Sequence, residues 1–169
     1  TVACGVADGV FVRGASRRDL RSCSLSVGSD TVGGALRAAR LDDDVRGVLL
    51  RINSRGGSYV ASDSIWREVK ALEEDGKPVV ASFGDYAASG GYYIATAARA
   101  IVSSRMTLTG SIGVAGGKFV LRDAWQKLGI RFDGVTTHAS AKIYSANHDY
   151  DEACQRWIEA SFDRAYRDF

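Results

Sequence analysis

The chain has 169 residues, of which 46% are hydrophobic and 25% charged, and these proportions exclude a disordered, collagenous or coiled-coil protein. A formal net charge of +2 gives no reason to expect a nucleic-acid partner, and no apolar run approaches the roughly 20 residues of a membrane-spanning helix. The unusual feature is 19 glycines against one proline, where average usage gives about 12 and about 8. Excess glycine indicates a backbone that turns sharply or approaches another group closely.

Short apolar runs alternate with helical patterns along the chain. In the first half we predict one or two weak strands over residues 1–12, a loop over 13–29, a helix over 30–39 capped by Asp30, a strand over 45–52, a turn over 53–58 and a helix over 61–75 that ends at Gly76. In the second half we predict a strand over 78–83, a helix over 87–98, a strand over 100–103, a glycine-interrupted apolar stretch over 108–114, a helix over 122–128, a strand over 131–137 and a helix over 149–169. This alternation predicts a mostly parallel sheet, in which ligands bind beyond the C-terminal ends of the strands.

The length allows one ordinary domain, which we predict to span residues 1–169. Because the chain starts without Met and stops within a helical pattern, we expect a fragment or an excised domain. An odd number of cysteines without a CxxC spacing argues against a disulfide framework and against a zinc site. The cysteines are Cys4, Cys23 and Cys154.

Two glycine-rich turns follow predicted buried strands, NSRGGS at residues 53–58 and ASGGY at residues 88–92. A small-residue turn between a strand and a helix exposes backbone N–H groups, which can stabilise an oxyanion or bind a phosphate. Ser89 lies where a strand meets a helix, a place suited to a nucleophile. The alternative interpretation is two tight turns with serine caps.

A serine nucleophile needs a base. The two histidines, His138 and His148, lie in a polar stretch without distinctive spacing, which favours solvated loop residues. Of the lysines, Lys142 has the least polar sequence neighbours and fits a base whose pKa is lowered by burial, whereas a surface lysine packed on Tyr144 is the alternative. Ser111, within TGSIG, is either a turn serine or a residue that holds a lysine ammonium by hydrogen bonding.

The segments LLRINSRGGS, GKPVVAS, AASGGYYIA and TLTGSIGV, in this order and spacing, resemble the peptidase domain of the signal peptide peptidase A family, also called protease IV. The resemblance covers the chain from about residue 42 onward and continues more weakly through KLGIRFDGVTT. It implies a crotonase/ClpP-like α/β fold of stacked ββα units. It also implies a serine endopeptidase that uses a Ser-Lys dyad and an acyl-enzyme to hydrolyse peptides, notably remnant signal peptides.

The same resemblance implies no metal and no organic cofactor. It implies a homo-oligomer in which active sites are built between neighbours. A further implication is a location at the extracytoplasmic face of the bacterial membrane, with any membrane association made through a segment outside this chain.

Carried over residue by residue, the resemblance makes Ser89 the nucleophile and Lys142 the general base. The N–H groups of Gly57 and Gly90 would form the oxyanion hole. The supporting residues would be Gly56, in the first turn, and Ser111, which would orient the lysine.

Two segments depart from the family pattern. Arg55 stands where the family has proline in Ser-Pro-Gly-Gly, and the segment SAKIYSAN around Lys142 matches poorly. In long family members the lysine comes from one half and the serine from the other. The alternative is therefore a serine-bearing half, or a non-catalytic module, whose lysine is supplied by a partner domain. A third interpretation is a crotonase-type enzyme that acts on acyl thioesters. Crotonases use paired backbone N–H groups to stabilise a thioester enolate.

Overall fold

The structure is a computed structural model that describes residues 1–19 and 24–169, so Cys23 and part of the predicted loop over 13–29 lie outside it. The strands are β1 (Val2–Asp8), β2 (Val10–Val12), β3 (Arg17–Asp19), β4 (Ser24–Gly28), β5 (Gly47–Ser54), β6 (Val79–Ala88), β7 (Ala100–Val102) and β8 (Leu108–Gly110). The helices are α1 (Ser29–Leu41), α2 (Tyr59–Glu74), α3 (Gly90–Ala95), α4 (Arg122–Lys127) and α5 (Glu152–Asp168), with a short 3-10 helix over Ala139–Lys142.

The backbone forms two compact units. The N-terminal unit comprises Thr1–Gly113 together with Phe169, and the C-terminal unit comprises Val114–Asp168. The expectation of one peptidase domain over residues 1–169 stays a prediction.

The N-terminal unit is built on a five-stranded sheet in the order β1-β5-β6-β7, with β8 also pairing with β6. Every pairing in this sheet is parallel, and helices connect β5 to β6 and β6 to β7. This order confirms the predicted α/β class with a mostly parallel sheet. A smaller sheet, β2-β4-β3, lies in the same unit.

Strand β6 is the longest strand of the sheet and leads directly to Ser89. Its first half pairs with β7, and its last residues, Tyr86–Ala88, pair with β8. Against β5 the register shifts, because Ile52 pairs with Phe83 whereas Ser54 pairs with Ala87. Strand β6 therefore has a bulge over residues 84–86. A bulge changes the direction of the strand that follows it.

Helix α2 covers the sheet through one apolar face, as its sequence periodicity predicts. The side chains of Ala61, Ile65, Val69 and Leu72 recur at intervals of three and four residues, and all are fully buried. Ser58 caps the helix by accepting a hydrogen bond from the Ala61 N–H. Gly76 follows the helix with φ +77°, which confirms its predicted role as a terminator. The largest fully buried side chains of this core are Phe11, Leu50, Ile52, Ile65, Leu72 and Ile94.

The regular secondary structure of the C-terminal unit is helical. Helix α4 is followed by Gly129 at φ +73°, close to the predicted end. Helix α5 buries Cys154 and Ala165 along one side, as its pattern predicts. Gly116 lies so close to the ring of Phe162 that an added Cβ would be 2.9 Å from it.

Four predicted elements are wrong in part or in full. The helix over 87–98 forms only over Gly90–Ala95, because Ala87 and Ala88 complete strand β6. The loop over 13–29 contains strands β3 and β4, because the Ser26 hydroxyl bonds both the N–H and the carbonyl of Arg17 across the pair. Helix α1 is capped by Gly28 rather than Asp30, whose N–H donates to the carbonyl of Gly14. No strand forms over 131–137, since Phe132 and Val135 are exposed and the C-terminal unit has no strand with which they could pair.

Candidate active site

Ser89 occupies a strained turn between β6 and α3. Its φ of +50° and ψ of −122° are rare for a residue with a side chain. Its N–H donates to the Gly110 carbonyl at 2.9 Å, and its own carbonyl accepts from the Tyr93 N–H at 2.8 Å. The residue is half-buried, and its hydroxyl makes no hydrogen bond with the residues that the structure describes. The backbone is thus held on both sides while the hydroxyl is left available.

The glycine turn after β5 lies directly against Ser89. A Cβ added at Gly56 would be 2.8 Å from the Ser89 Cβ and 2.8 Å from the Gly90 nitrogen. The Gly56 N–H donates to the buried Ser54 hydroxyl at 3.0 Å. Its φ of +101° also favours glycine, so both space and conformation require glycine here.

Strand β2 holds the other side of this turn. The Phe11 N–H donates to the Gly56 carbonyl at 3.0 Å, and the Ser58 N–H donates to the Phe11 carbonyl at 2.9 Å. These bonds form a parallel bridge between Phe11 and Gly57. In such a bridge the N–H of the central residue points away from its partner, so the Gly57 N–H points away from β2.

Two backbone donors near Ser89 remain unused. Among the described residues, no carbonyl accepts a backbone hydrogen bond from the N–H of Gly57 or of Gly90. Gly90 is the first residue of α3, where N–H groups have no partner within the helix. A Cβ added at Gly90 would overlap the Ser62 hydroxyl, so this position favours glycine. Both predicted oxyanion donors are therefore unpaired and belong to turns that meet at Ser89.

Ser111 lies next to Ser89 across neighbouring strands. Ala88 at the end of β6 pairs in register with Gly110 at the end of β8, so the two serines follow paired residues. Ser111 also has a φ of +50°. The pairing of β6 with β8 thus ends just before the two serines.

Lys142 belongs to the C-terminal unit. It ends the 3-10 helix, its side chain is exposed, and its carbonyl accepts a hydrogen bond from Lys118 Nζ at 3.3 Å. The two histidines are also exposed residues of that unit, as the sequence predicts.

The N-terminal unit contains no histidine and no lysine that the structure leaves without a partner. Its sequence has no histidine, and its two lysines are Lys70 and Lys77. The Lys70 Nζ lies 3.9 Å from the Glu74 Oε1 on α2. The Lys77 Nζ donates to the carbonyls of Ala39 and Asp42. Lys77 precedes β6 whereas Ser89 follows it, a separation on the order of 30 Å along the strand.

Sequence reasoning missed Asn53 and Tyr86. The Asn53 side-chain oxygen accepts the N–H groups of Asp85 and Tyr86, at 3.1 and 3.2 Å, and so satisfies the bulge of β6. Arg55 in the glycine turn stacks on the Tyr86 ring, with the guanidinium carbon 4.4 Å from the ring centroid. The only local signal was the position of Asn53 directly before the turn.

The profile described as Peptidase family S49 matches residues 71–169. The chain belongs to peptidase family S49. Protease 4 of Salmonella typhi is 42% identical over 144 residues, which are 85% of this chain and 23% of that protein. The chloroplastic serine protease SPPA of Arabidopsis thaliana is 43% identical over 125 residues, 69% of this chain and 18% of that protein. These matches confirm the resemblance to the signal peptide peptidase A family, and the chain spans less than a quarter of the length of either relative.

Similarity to solved structures is partial. A point mutant of ClpP1 from Listeria monocytogenes is 20% identical with a TM-score of 0.39, over 56% of this chain and 46% of that chain. The α/β class of this S49 chain therefore rests on its own strand order. Within residues 1–19 and 24–169, no helix combines the length and apolar character needed to cross a bilayer.

Proposed function

We propose that this S49 chain is a serine endopeptidase, or the serine-bearing part of one, with Ser89 as its nucleophile. The observation that carries the proposal is the strained turn at Ser89, which lies against Gly56 and between two unused N–H groups. Strain of about 1–3 kcal/mol persists where the surrounding structure over-determines it, and it concentrates at functional sites.

In this proposal the Ser89 oxygen attacks a peptide carbonyl while its proton passes to a lysine amine. The N–H groups of Gly57 and Gly90 stabilise the negative charge that develops on the carbonyl oxygen. The tetrahedral intermediate collapses to an acyl-enzyme, and the lysine gives the proton to the leaving amine. Water then attacks the ester and loses a proton to the lysine, which passes that proton to the Ser89 oxygen as the ester bond breaks and the peptide acid leaves.

The lysine of the proposed dyad is Lys142, oriented by the hydroxyl of Ser111. A lysine can act as a base near neutral pH only when desolvation or neighbouring charge disfavours its ammonium form. Lys142 is exposed, so this function requires a substrate or a neighbouring chain that covers it.

A second candidate is a half-site module whose lysine comes from a partner domain. It is favoured by the sequence of the N-terminal unit, which has no histidine and whose two lysines, Lys70 and Lys77, both have partners. Relatives more than four times as long as the matched segment leave room for such a domain.

Family membership extends the proposal to substrates and setting. We expect peptide substrates, including remnants of signal peptides, and a homo-oligomeric enzyme at the extracytoplasmic face of a bacterial membrane. Any attachment to the membrane would be made by a segment outside this chain.

The test is covalent labelling of the purified chain with a fluorophosphonate, followed by mass spectrometry and a fluorogenic peptide assay. We expect an adduct on Ser89 and peptide cleavage that Ser89→Ala lowers by at least about a thousandfold. Ser103→Ala is the matched control, because that exposed hydroxyl bonds only the Ser104 carbonyl. Cleavage undiminished by Ser89→Ala would refute the nucleophile.

Lys142→Ala separates the two candidates. Loss of labelling in this variant supports the Ser89–Lys142 dyad. Labelling equal to that of the unaltered chain assigns the base elsewhere. Labelling that appears only after a second S49 domain is added supports the half-site module.

A further inference from the structure

The glycine turn over residues 54–58 needs external support to hold its N–H groups in place. Gly56 and Gly57 are consecutive residues with φ of +101° and +151°. Glycine restricts its own backbone less than any other residue, so covalent structure alone does not fix the direction of the Gly57 N–H. The bridge to Phe11 restrains the side of the turn that faces β2. On the side that faces β6, Gly56 packs against Ser89, and two side-chain contacts join the turn to the strand.

Asn53 supplies the first link between this turn and β6. Its side-chain nitrogen donates to the Asp8 carboxylate at 3.1 Å, which fixes the amide so that its oxygen faces β6. That oxygen accepts from the N–H groups of Asp85 and Tyr86. A Cβ at Gly84 would be 2.8 Å from the same oxygen, so the bulge closes tightly around Asn53. The backbone of Tyr86 is therefore fixed relative to the start of the turn.

Arg55 supplies a second link, to the same residue. Its guanidinium carbon lies 4.4 Å from the centroid of the Tyr86 ring, within the range of a cation–π interaction. The side chain is exposed, and no carboxylate of the described residues lies within ion-pair distance of it. Its contact with the ring thus connects the residue just before Gly56 to a residue three positions before Ser89.

We infer that Arg55 and Tyr86 form a clamp that positions the glycine turn against the Ser89 turn. The inference rests on the proposed function, because the clamp matters through the Gly57 N–H that this function uses. Arg55 and Tyr86 are positioning residues, because their contact joins the glycine turn to strand β6 and involves neither the Ser89 hydroxyl nor the substrate carbonyl. A cation–π contact at an exposed site is weak, so its loss lowers the turnover number by about two- to fivefold.

The kinetic test compares Arg55→Ala, Tyr86→Leu and the double variant in the full chain. We expect each single variant to lower kcat by about two- to fivefold with KM unchanged, and the double variant to be no slower than either. Tyr86→Phe keeps the ring that Arg55 contacts, so it should retain kcat. Arg55→Lys keeps a cation at this position, so its kcat should lie between those of Arg55→Ala and the unaltered chain. Independent, multiplicative losses in the double variant would overturn the clamp.

A second readout does not depend on catalysis. In urea unfolding, the free energies of the four chains form a double-mutant cycle, and the clamp predicts coupling between the two positions. If Ser89→Ala leaves cleavage unchanged, the proposed function fails while this coupling still reports on the clamp. A cycle with no coupling overturns the clamp whatever Ser89 does. A rise in KM confined to acidic peptides, without a change in kcat, would also overturn it, because Arg55 would then bind substrate.

Discussion

Gly56 is the residue whose size limits the candidate site most directly. It has no room for a methyl group, because both the Ser89 Cβ and the Gly90 nitrogen would lie 2.8 Å from it. Its backbone nitrogen and carbonyl are both engaged, by the Ser54 hydroxyl and the Phe11 N–H. A side chain here must therefore displace backbone on one side or the other.

We predict that Gly56→Ala lowers kcat/KM by about 10²–10³, the cost of misplacing one oxyanion donor. Stability should also fall, because the φ of +101° strains any residue with a Cβ. Gly34→Ala is the matched control: an added Cβ in α1 meets nothing within 4 Å, and activity should be unchanged. Peptide cleavage and thermal unfolding of the three chains check the prediction. Activity retained in Gly56→Ala would contradict the placement of the oxyanion hole at this turn.

The sequence predicts which residues form the candidate site better than it predicts how they are held. The strand-to-helix position of Ser89 and the two glycine turns follow from local pattern, because small residues and buried strands are read within a few positions. The clamp of Arg55 on Tyr86 and the anchoring of the bulge by Asn53 join positions more than 30 residues apart. Neither contact produces a repeating pattern of apolar residues in the sequence, so a search for such patterns over neighbouring positions does not find either contact.

At the scale of elements, apolar periodicity predicts those that bury a face. Strand β5 is predicted as a short run of leucine and β-branched residues buried on both faces, whereas in the structure only alternate side chains are buried. Helix α2 is predicted because its buried side chains repeat at intervals of three to four residues. Strand β4 was missed because it is serine-rich and its partner β3 is polar, and its pairing depends on Ser26 hydrogen bonds. Residues 131–137 show the opposite error. Their sequence has the pattern of a strand, but no strand forms there, because the described part of the C-terminal unit contains no strand with which they could pair.

The start of helix α5 gives a prediction for stability against pH. The Asp151 carboxylate accepts a hydrogen bond from the Cys154 N–H at 2.7 Å, and this bond, with help from the Cys154 thiol, lowers the pKa of Asp151. A carboxylate with a lowered folded pKa stabilises the protein above its unfolded value of about 3.9, and this contribution is lost as pH falls through the folded pKa. The charge near a helix N-terminus acts in the same direction.

We therefore expect the chain to be more stable than its Asp151→Asn variant at about pH 6 and the difference to shrink toward about pH 3. Asparagine caps helices about as well as aspartate, so the variant removes the titration and keeps the cap. Urea unfolding followed by circular dichroism at both pH values measures the difference. Asp163→Asn, within the same helix, is the control and should alter the pH dependence less. A gap that stays constant between the two pH values would contradict the prediction.

At the scale of the whole molecule, the proposed parts are divided between the two units. The N-terminal unit holds Ser89, the unused N–H groups and Ser111, whereas Lys142 belongs to the C-terminal unit and is exposed. A lysine that must lose its proton near neutral pH has to be removed from water. If the chain forms the proposed homo-oligomer, association between copies would supply such burial.

Mixing two inactive variants tests whether neighbouring copies share a site. Ser89→Ala and Lys142→Ala chains should each be inactive alone. Suppose that each site takes its serine from one copy and its lysine from the neighbouring copy. Half of the randomly formed pairs then contain one copy of each variant, and every such mixed pair has one of its two sites intact. An equimolar mixture should then recover about a quarter of the activity of the unaltered chain. Co-purification through an affinity tag carried by only one of the two variants establishes that mixed oligomers form. Mixed oligomers as inactive as the separate variants would contradict a site shared between copies, and so would full activity in a chain that stays monomeric.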